Sequence, residues 1–268
     1  MMRSFCLAPY KVGSRKVRRL AALQPTLNRL YDLVSQDVEF VSEALRVTSL
    51  ECAWSAHELE VFRRVSSRPA KPRLLLPNSI FLEELSGSCV LTVGNVQAGE
   101  PYQHHLVHTL QRAEHPHVAQ GPLLAVCDAL ATAAKMVHPA RPRVAVLTKP
   151  SDNVALRTRI DVYGVGRLLE EHGVQPVYVS MRDMARAELD SAGDLLLDGE
   201  ALSVVYSRFD FSHPLGKQTP SLEAIDAEHT AEWIAVERME MSSAVVSSTL
   251  GCRLAHRRSV QQAKQGSS

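Results

Sequence analysis

Between Arg143 and Phe211 short apolar runs alternate with longer stretches of helical periodicity, and this alternation limits the fold more than any other feature. Val144-Ala145-Val146-Leu147-Thr148 reads as a buried strand closed by Lys149-Pro150. Ala155 to His172 reads as a helix, with Gly173 just past its end, where a left-handed residue commonly stops one. Val177-Tyr178-Val179 is a second strand, and Met181 to Leu189 is expected to be a helix. A hairpin follows, Leu195-Leu196-Leu197 and Leu202 to Tyr206 flanking Asp198-Gly199, and a final helix runs from about Ala224 through Met241. Apolar strands this short, separated by helices, argue for parallel pairing with both faces covered. The expected fold class is α/β, a doubly wound and mainly parallel sheet over residues 142–212, preceded by a helical and mixed N-terminal region.

In that N-terminal region Leu27, Leu30, Tyr31, Val34, Val38, Val41 and Leu45 recur at three- and four-residue steps. The spacing predicts one amphipathic helix with Ser35-Gln36-Asp37 on its wetter face. A second helix is expected over Ala56 to Arg64, and the polar, basic, proline-containing segment Ser66 to Pro72 reads as a linker. Leu74-Leu75-Leu76 and Val90-Leu91-Thr92-Val93 are strand candidates, with a turn at Ser86-Gly87-Ser88. Gly99 to Gly121 loses any period apart from one candidate helix near Leu106, and alanine-rich Leu123 to Val137 is helical again.

The formal net charge of +1 gives no electrostatic footprint for nucleic acid. No apolar run approaches the roughly 20 residues of a membrane span, and the amino terminus lacks the apolar stretch of a secretory signal. Cys6, Cys52, Cys89, Cys127 and Cys252 are scattered without zinc-site or redox spacing, which predicts reduced thiols and a cytoplasmic setting. Lys11, Arg15, Lys16, Arg18 and Arg19 read as solvated helix charges in preference to a transit peptide.

Ligands of a doubly wound sheet bind beyond the carboxyl ends of its strands. Three segments qualify: Thr148 to Arg157, Ser180 to Asp183 and Ser207 to Phe211. The first gathers Ser151, Asp152, Asn153 and Arg157 about a helix amino terminus, where free backbone N–H groups favour anions, although on local evidence alone a simple cap by Ser151 or Asp152 is the better reading. Arg208 follows an apolar strand directly, so its guanidinium faces either a ligand carboxylate or a neighbouring acid such as Asp210. His104, His105, His108, His115 and His117 cluster, yet no third ligand accompanies the i, i+4 pair His104 and His108, so a polar loop is the better reading than a metal site. Gly164-Val165-Gly166 lies within a helix and lacks the third glycine of a dinucleotide fingerprint, and no phosphate-binding loop or nucleophile elbow occurs.

Taken in order, four segments resemble the eukaryotic-type glutathione synthetase family. Leu23-Gln24-Pro25-Thr26-Leu27-Asn28 with Val34-Ser35-Gln36-Asp37 is similar to that family's first long helix. Val204 to Phe211 (VVYSRFDF) is similar to its V-V-Y-F-R-x-G-Y segment, and Glu237-Arg238 to an E-R pair on the next helix. Leu254 to Gln262 (LAHRRSVQQ) is similar to L-A-G-[ST]-K-K-V-Q-Q. The family ligates γ-glutamylcysteine to glycine through an acyl phosphate made from ATP, with magnesium neutralising the phosphates. The resemblance implies an N-terminal helical and mixed region over 1–141, a substrate-binding α/β domain of the pre-ATP-grasp, Rossmann-like kind over 142–245, and the start of an ATP-grasp portion over 246–268. By position, Arg208 and Asn153 would contact the dipeptide, Ser151, Arg157 and Phe211 would line the same site, and Arg258 would face the nucleotide. Asn95 falls in the segment matching a metal-binding E-I-N-T. Implied partners are γ-glutamylcysteine or a related small peptide, and a second subunit, either a copy of this chain or a full-length synthetase.

Several positions depart from the family pattern. In E-x-N-x-x-x-Q the outer residues are Ser151 and Arg157, and the tyrosine after the substrate arginine is Phe211. Val93 stands at the metal-binding glutamate, and a hydrocarbon offers magnesium no oxygen. Asn78 stands where an N-terminal substrate arginine is expected, and Arg258 replaces a lysine. The family's ATP-grasp portion lies beyond V-Q-Q, so these 268 residues are expected to form no glutathione alone and to act as a diverged synthetase, a non-catalytic subunit or a peptide-binding module.

Overall fold

The computed structural model describes residues 14–67, 74, 79–85, 88–94, 122–148, 156–207 and 227–263. Four helices lead: α1 (Ser14–Val34), α2 (Val38–Ala44), α3 (Arg46–Glu51) and α4 (Ala53–Ser66). The single helix expected across Leu27 to Leu45 is in fact broken at Ser35-Gln36-Asp37. Gln36 and Asp37 reach back with N–H bonds to Leu33 and Val34, and the Asp37 carboxylate accepts the Phe40 N–H at 2.9 Å, opening a new helix. Ser35 is buried, its hydroxyl donating to the Asp32 carbonyl at 2.7 Å, so the wetter face expected there is wrong for Ser35. Tyr31, Val34, Val41 and Leu45 on both sides of the break enter one core, which is why the periodicity reads as continuous. Arg18 and Arg19 are exposed on α1.

Next comes an antiparallel hairpin of β1 (Ser79–Leu85) and β2 (Ser88–Gly94), closed across Leu85 and Ser88. The partner of the expected Val90–Val93 strand is therefore 79–85, where Glu83-Glu84 masks the apolar pattern; Leu74 has no regular structure, and Leu75 and Leu76 lie outside the described residues. Helix α5 (Pro122–Val137) precedes β3 (Arg143–Leu147), α6 (Leu156–Glu171) and β4 (Gln175–Val179). Gly173, at φ 69°, ends α6 in the left-handed region as expected.

The helix expected over Met181 to Leu189 is a single turn, α7 (Met181–Met184), followed by β5 (Glu188–Leu189). Ser180 and Asp183 form a complete capping box that starts the turn. Nη1 of Arg238 then donates to the carbonyls of Ala185 and Ala187 at 2.5 and 2.6 Å, taking acceptors that a longer helix would need. The hairpin expected around Asp198-Gly199 exists as β6 (Leu195–Leu197) and β7 (Glu200–Leu202), with both turn residues at positive φ. Its second arm does not continue to Tyr206, because the chain changes sheet at buried Ser203 and β8 (Val204–Tyr206) joins the parallel sheet. Helix α8 (Ala227–Met241), β9 (Val245–Val246), α9 (Leu250–Ala255) and α10 (Arg258–Ala263) complete the described chain.

The main sheet has four strands in the order β4-β3-β8-β9, every neighbouring pair parallel. Side chains alternate between its faces, as the pleat requires. Val144, Val146, Val204, Tyr206 and Val245 pack with α5 and α6, whereas Ala145, Leu147, Val205 and Val246 face α4 and α8. The doubly wound α/β reading holds. The core on the α4 and α8 face runs from Tyr31 to Val260, so residues of 1–141, 142–245 and 246–268 share one apolar cluster.

Candidate functional site

The winding of the sheet singles out one place. From β3 the chain crosses through α6 to β4 on one side, and from β8 it crosses through α8 to β9 on the other. The crossover direction reverses between the adjacent strands β3 and β8, and a doubly wound sheet opens a crevice at such a switch point beyond its carboxyl ends. Val146 lies opposite Tyr206 in the last rung shared by these strands, which brings their carboxyl ends, near Thr148 and Ser207, side by side. Strand neighbours are about 4.8 Å apart.

Hydroxyls line this rim. Thr148 donates its Oγ1 proton and its N–H to the carbonyl of Val179, at 3.2 and 2.8 Å. Ser180 Oγ donates to Asp183 Oδ2 at 2.6 Å, and Ser180 N–H does so at 2.9 Å; these bonds, the side-chain one foremost, hold the Asp183 carboxyl below its ordinary range. Ser207, Ser247 and Ser248 are all buried, and Ser207 N–H donates to Ser247 Oγ at 3.1 Å. The sequence reading missed Ser247. Its signal was faint but present, since Val245-Val246-Ser247 repeats the apolar-then-hydroxyl ending of Val205-Tyr206-Ser207 in a strand too short to show a period.

Of the expected site residues, Ser151, Asn153, Arg208, Phe211 and Asn95 lie outside the described residues, as do Asp152, Asp210, Asn78 and the His104 to His117 cluster. Arg157 belongs to the first turn of α6 and Arg258 opens α10. Val93, at the position that the resemblance gives to a magnesium carboxylate, belongs to β2. The valine side chain has no oxygen to replace that carboxylate, and Asn95, the other residue of the expected metal segment, lies outside the described residues.

Two of the resembling segments form joints between elements. Arg64 meets Glu237 at 3.1 Å, tying α4 to α8, while Arg238 holds the Ala185 and Ala187 carbonyls. In Leu254 to Gln262, Leu254, Ala255 and Val260 are core residues, and His256 stacks on Tyr31 with ring centroids 4.3 Å apart. Arg257 donates to the fully buried carboxylate of Glu58 and, at 3.1 Å, to Ser55 Oγ. Gln261 donates to the Tyr31 hydroxyl at 3.1 Å, and burial pushes the Tyr31 pKa up. These bonds fasten the carboxyl-terminal helices to α1 and α4. Cys52, Cys127 and Cys252 carry free thiols. Burial pushes Cys127 up to about 12 and also raises Cys252, which leaves both as poor nucleophiles.

Among the described residues no helix is long and apolar enough to cross a membrane. No family model matches the chain, and neither does any curated protein. Among solved structures the chain is similar to a glutathione synthetase-like effector from Globodera pallida in its apo form, with a TM-score of 0.60 at 15% sequence identity. The match covers 95% of this chain and 57% of that one, so the chain spans little more than half the length of that structure. At such identity the likeness is one of fold: a distant glutathione synthetase-like fold.

Proposed function

We propose that, within this glutathione synthetase-like fold, the chain binds γ-glutamylcysteine or a related small thiol peptide at the crevice between β3 and β8. The observation that carries this reading is the reversal of winding between those two strands. It sets Thr148 and Ser207, which precede Ser151–Asn153 and Arg208 in the sequence, at the carboxyl edge where such sheets bind ligands. In this reading the Arg208 guanidinium takes a peptide carboxylate bidentately, and the Asn153 amide and Ser151 hydroxyl supply neutral hydrogen bonds. Arg157, in the first turn of α6, adds positive charge near a helix end that already favours anions. Phe211 offers an aromatic wall without the hydroxyl that the family carries there. In the whole protein this would be the binding of the acyl donor in an ATP-dependent carbon–nitrogen ligation, with Arg258 facing the nucleotide.

Titration calorimetry of the purified protein with γ-glutamylcysteine tests the reading. Saturable binding is expected, and Arg208→Ala should weaken it by about 10–100-fold, the worth of a charge-assisted contact. Absence of heat at millimolar peptide, or equal affinity in Arg208→Ala, would sink it.

A second reading, a non-catalytic subunit that pairs with a full-length synthetase, draws on Val93, where the resemblance expects a metal-binding carboxylate. With that ligand absent, these 268 residues should produce no glutathione from γ-glutamylcysteine, glycine and MgATP. Co-purification of the chain with a catalytic synthetase would favour the subunit reading, and recovery of monomer alone would count against it.

A further inference from the structure

The main sheet has two outer strands, and they differ. Strand β9 is two residues long before the chain turns toward the Thr249 cap of α9, so shortness alone blunts that edge. Strand β4 runs for five residues, Gln175–Val179, and among the described residues no strand lies beyond it. Its bonds to β3 fix which groups face outward. Gln175 N–H donates to the Pro142 carbonyl at 3.0 Å, and the Val179 carbonyl accepts the Thr148 N–H at 2.8 Å. Backbone groups alternate sides along a strand, so Gln175, Val177 and Val179 bond to β3 while Pro176 and Tyr178 face the open edge. The Tyr178 ring lies back on α6, its centroid 4.8 Å from that of Tyr163 and its hydroxyl 1.9 Å from where a Cβ on Gly166 would be. Tyr178 is 38% exposed.

We infer that Pro176 blocks this edge against pairing with a second copy of the chain. A second copy is the natural intruder, because an identical edge can meet it about a two-fold axis. Two copies meeting antiparallel about Val177 would set Tyr178 of each opposite Pro176 of the other. Full pairing of those residues needs each to donate and to accept. Proline has no N–H, so only the Tyr178 N–H groups find acceptors, and the Tyr178 carbonyls find no donor. A register centred on Tyr178 fares no better. Its next rung needs the N–H groups of Pro176 and Ser180, and Ser180 already donates to Asp183 Oδ2 at 2.9 Å. Toward β3 the proline costs nothing, since a residue that faces outward owes that strand no N–H.

Sedimentation velocity of the full chain over a concentration series tests the block. Pro176→Val restores the missing N–H in each copy and completes the register centred on Val177. Its self-association constant should rise by about 5–150-fold over the wild type, the worth of the two bonds regained. Pro176→Val/Tyr178→Pro should return to the wild-type profile, because it removes the donor at Tyr178 while sparing every bond to β3. Pro176→Val/Tyr178→Ala should still associate, since it loses the ring and keeps the backbone. Circular dichroism melts establish that each variant is folded. Should Pro176→Val not fold, Pro176→Thr restores the same N–H and carries the same expectation.

Unchanged sedimentation of folded Pro176→Val and Pro176→Thr would overturn the inference, as would association of Pro176→Val that survives Tyr178→Pro. Self-association of the wild type that Tyr178→Pro alone abolishes would overturn it too, because the edge would then be paired already. None of these results bears on peptide binding at the carboxyl ends of the strands.

Discussion

The pair Glu58 and Arg257 shows what one residue can decide. Glu58 is 0% exposed, and its carboxylate is met by a guanidinium that arrives from α10's threshold, 199 positions later. Breaking a buried pair from one side costs about 3–5 kcal/mol, because the charge left behind keeps its desolvation penalty. Arg257→Met should lose that much in urea unfolding, and Glu58→Gln/Arg257→Met should recover a good part of it. Gly251 is as constrained by space: a Cβ there would lie 2.0 Å from the Ser35 carbonyl oxygen and 2.9 Å from the Phe62 ring. Gly251→Ala should therefore destabilise by at least about 1–3 kcal/mol, the usual cost of overpacking, as read from the thermal midpoint. The sequence made Arg208 conspicuous, a lone cation after an apolar strand. Arg257 was less legible, since one of two adjacent arginines in a basic run shows its partner only after distant helices have met.

At the scale of elements, Gly173 announced the end of one helix, whereas the Ser180–Asp183 capping box that starts the next became legible only in the structure. What stops α7 after one turn is tertiary, since Arg238 holds the carbonyls of Ala185 and Ala187. Arg238→Leu should cost about 1.5–3 kcal/mol in urea unfolding, the range for hydrogen bonds from a charged donor, and Arg238→Lys should restore part of it, because both bonds come from one nitrogen and an ammonium also offers several donors. Helices α5 and α6 meet through His172, whose Nδ1 contacts the Leu168 carbonyl and whose Nε2 contacts Asp128 Oδ1, both at 2.6 Å. The backbone contact first, then Asp128, raises its pKa above the ordinary 6.5, with Lys135 opposing. A raised histidine stabilises fully below its unfolded value and loses that contribution as pH climbs through the folded one. Stability should therefore fall slightly as pH climbs from the ordinary 6.5 through the raised folded value, and the slope should shrink in Asp128→Asn. The pair is partly exposed, so the effect is small.

For the whole molecule, the alternation after Arg143 carried the class of fold, and the sheet order came from elsewhere. Strand β9 is two residues long, too short for any period, yet it fixes the side to which β8 winds and hence the switch point. The shared core was equally hidden, because Tyr31 and Val260 belong to one cluster only after the sheet has closed. Trp54 and Trp233, the chain's two tryptophans, lie 5.3 Å apart across α4 and α8. Their fluorescence should thus lose its native signal in the same urea transition as the circular dichroism of the α/β sheet; separate midpoints would show two folding units. The seam through Glu58 and Arg257 also sets an order in time. At roughly 5–20 residues per second, a ribosome takes roughly 10–40 s to add the 199 residues between them. Through that interval α4 waits for the carboxyl-terminal partners that cover its apolar face, which leaves that face open to a nascent-chain chaperone.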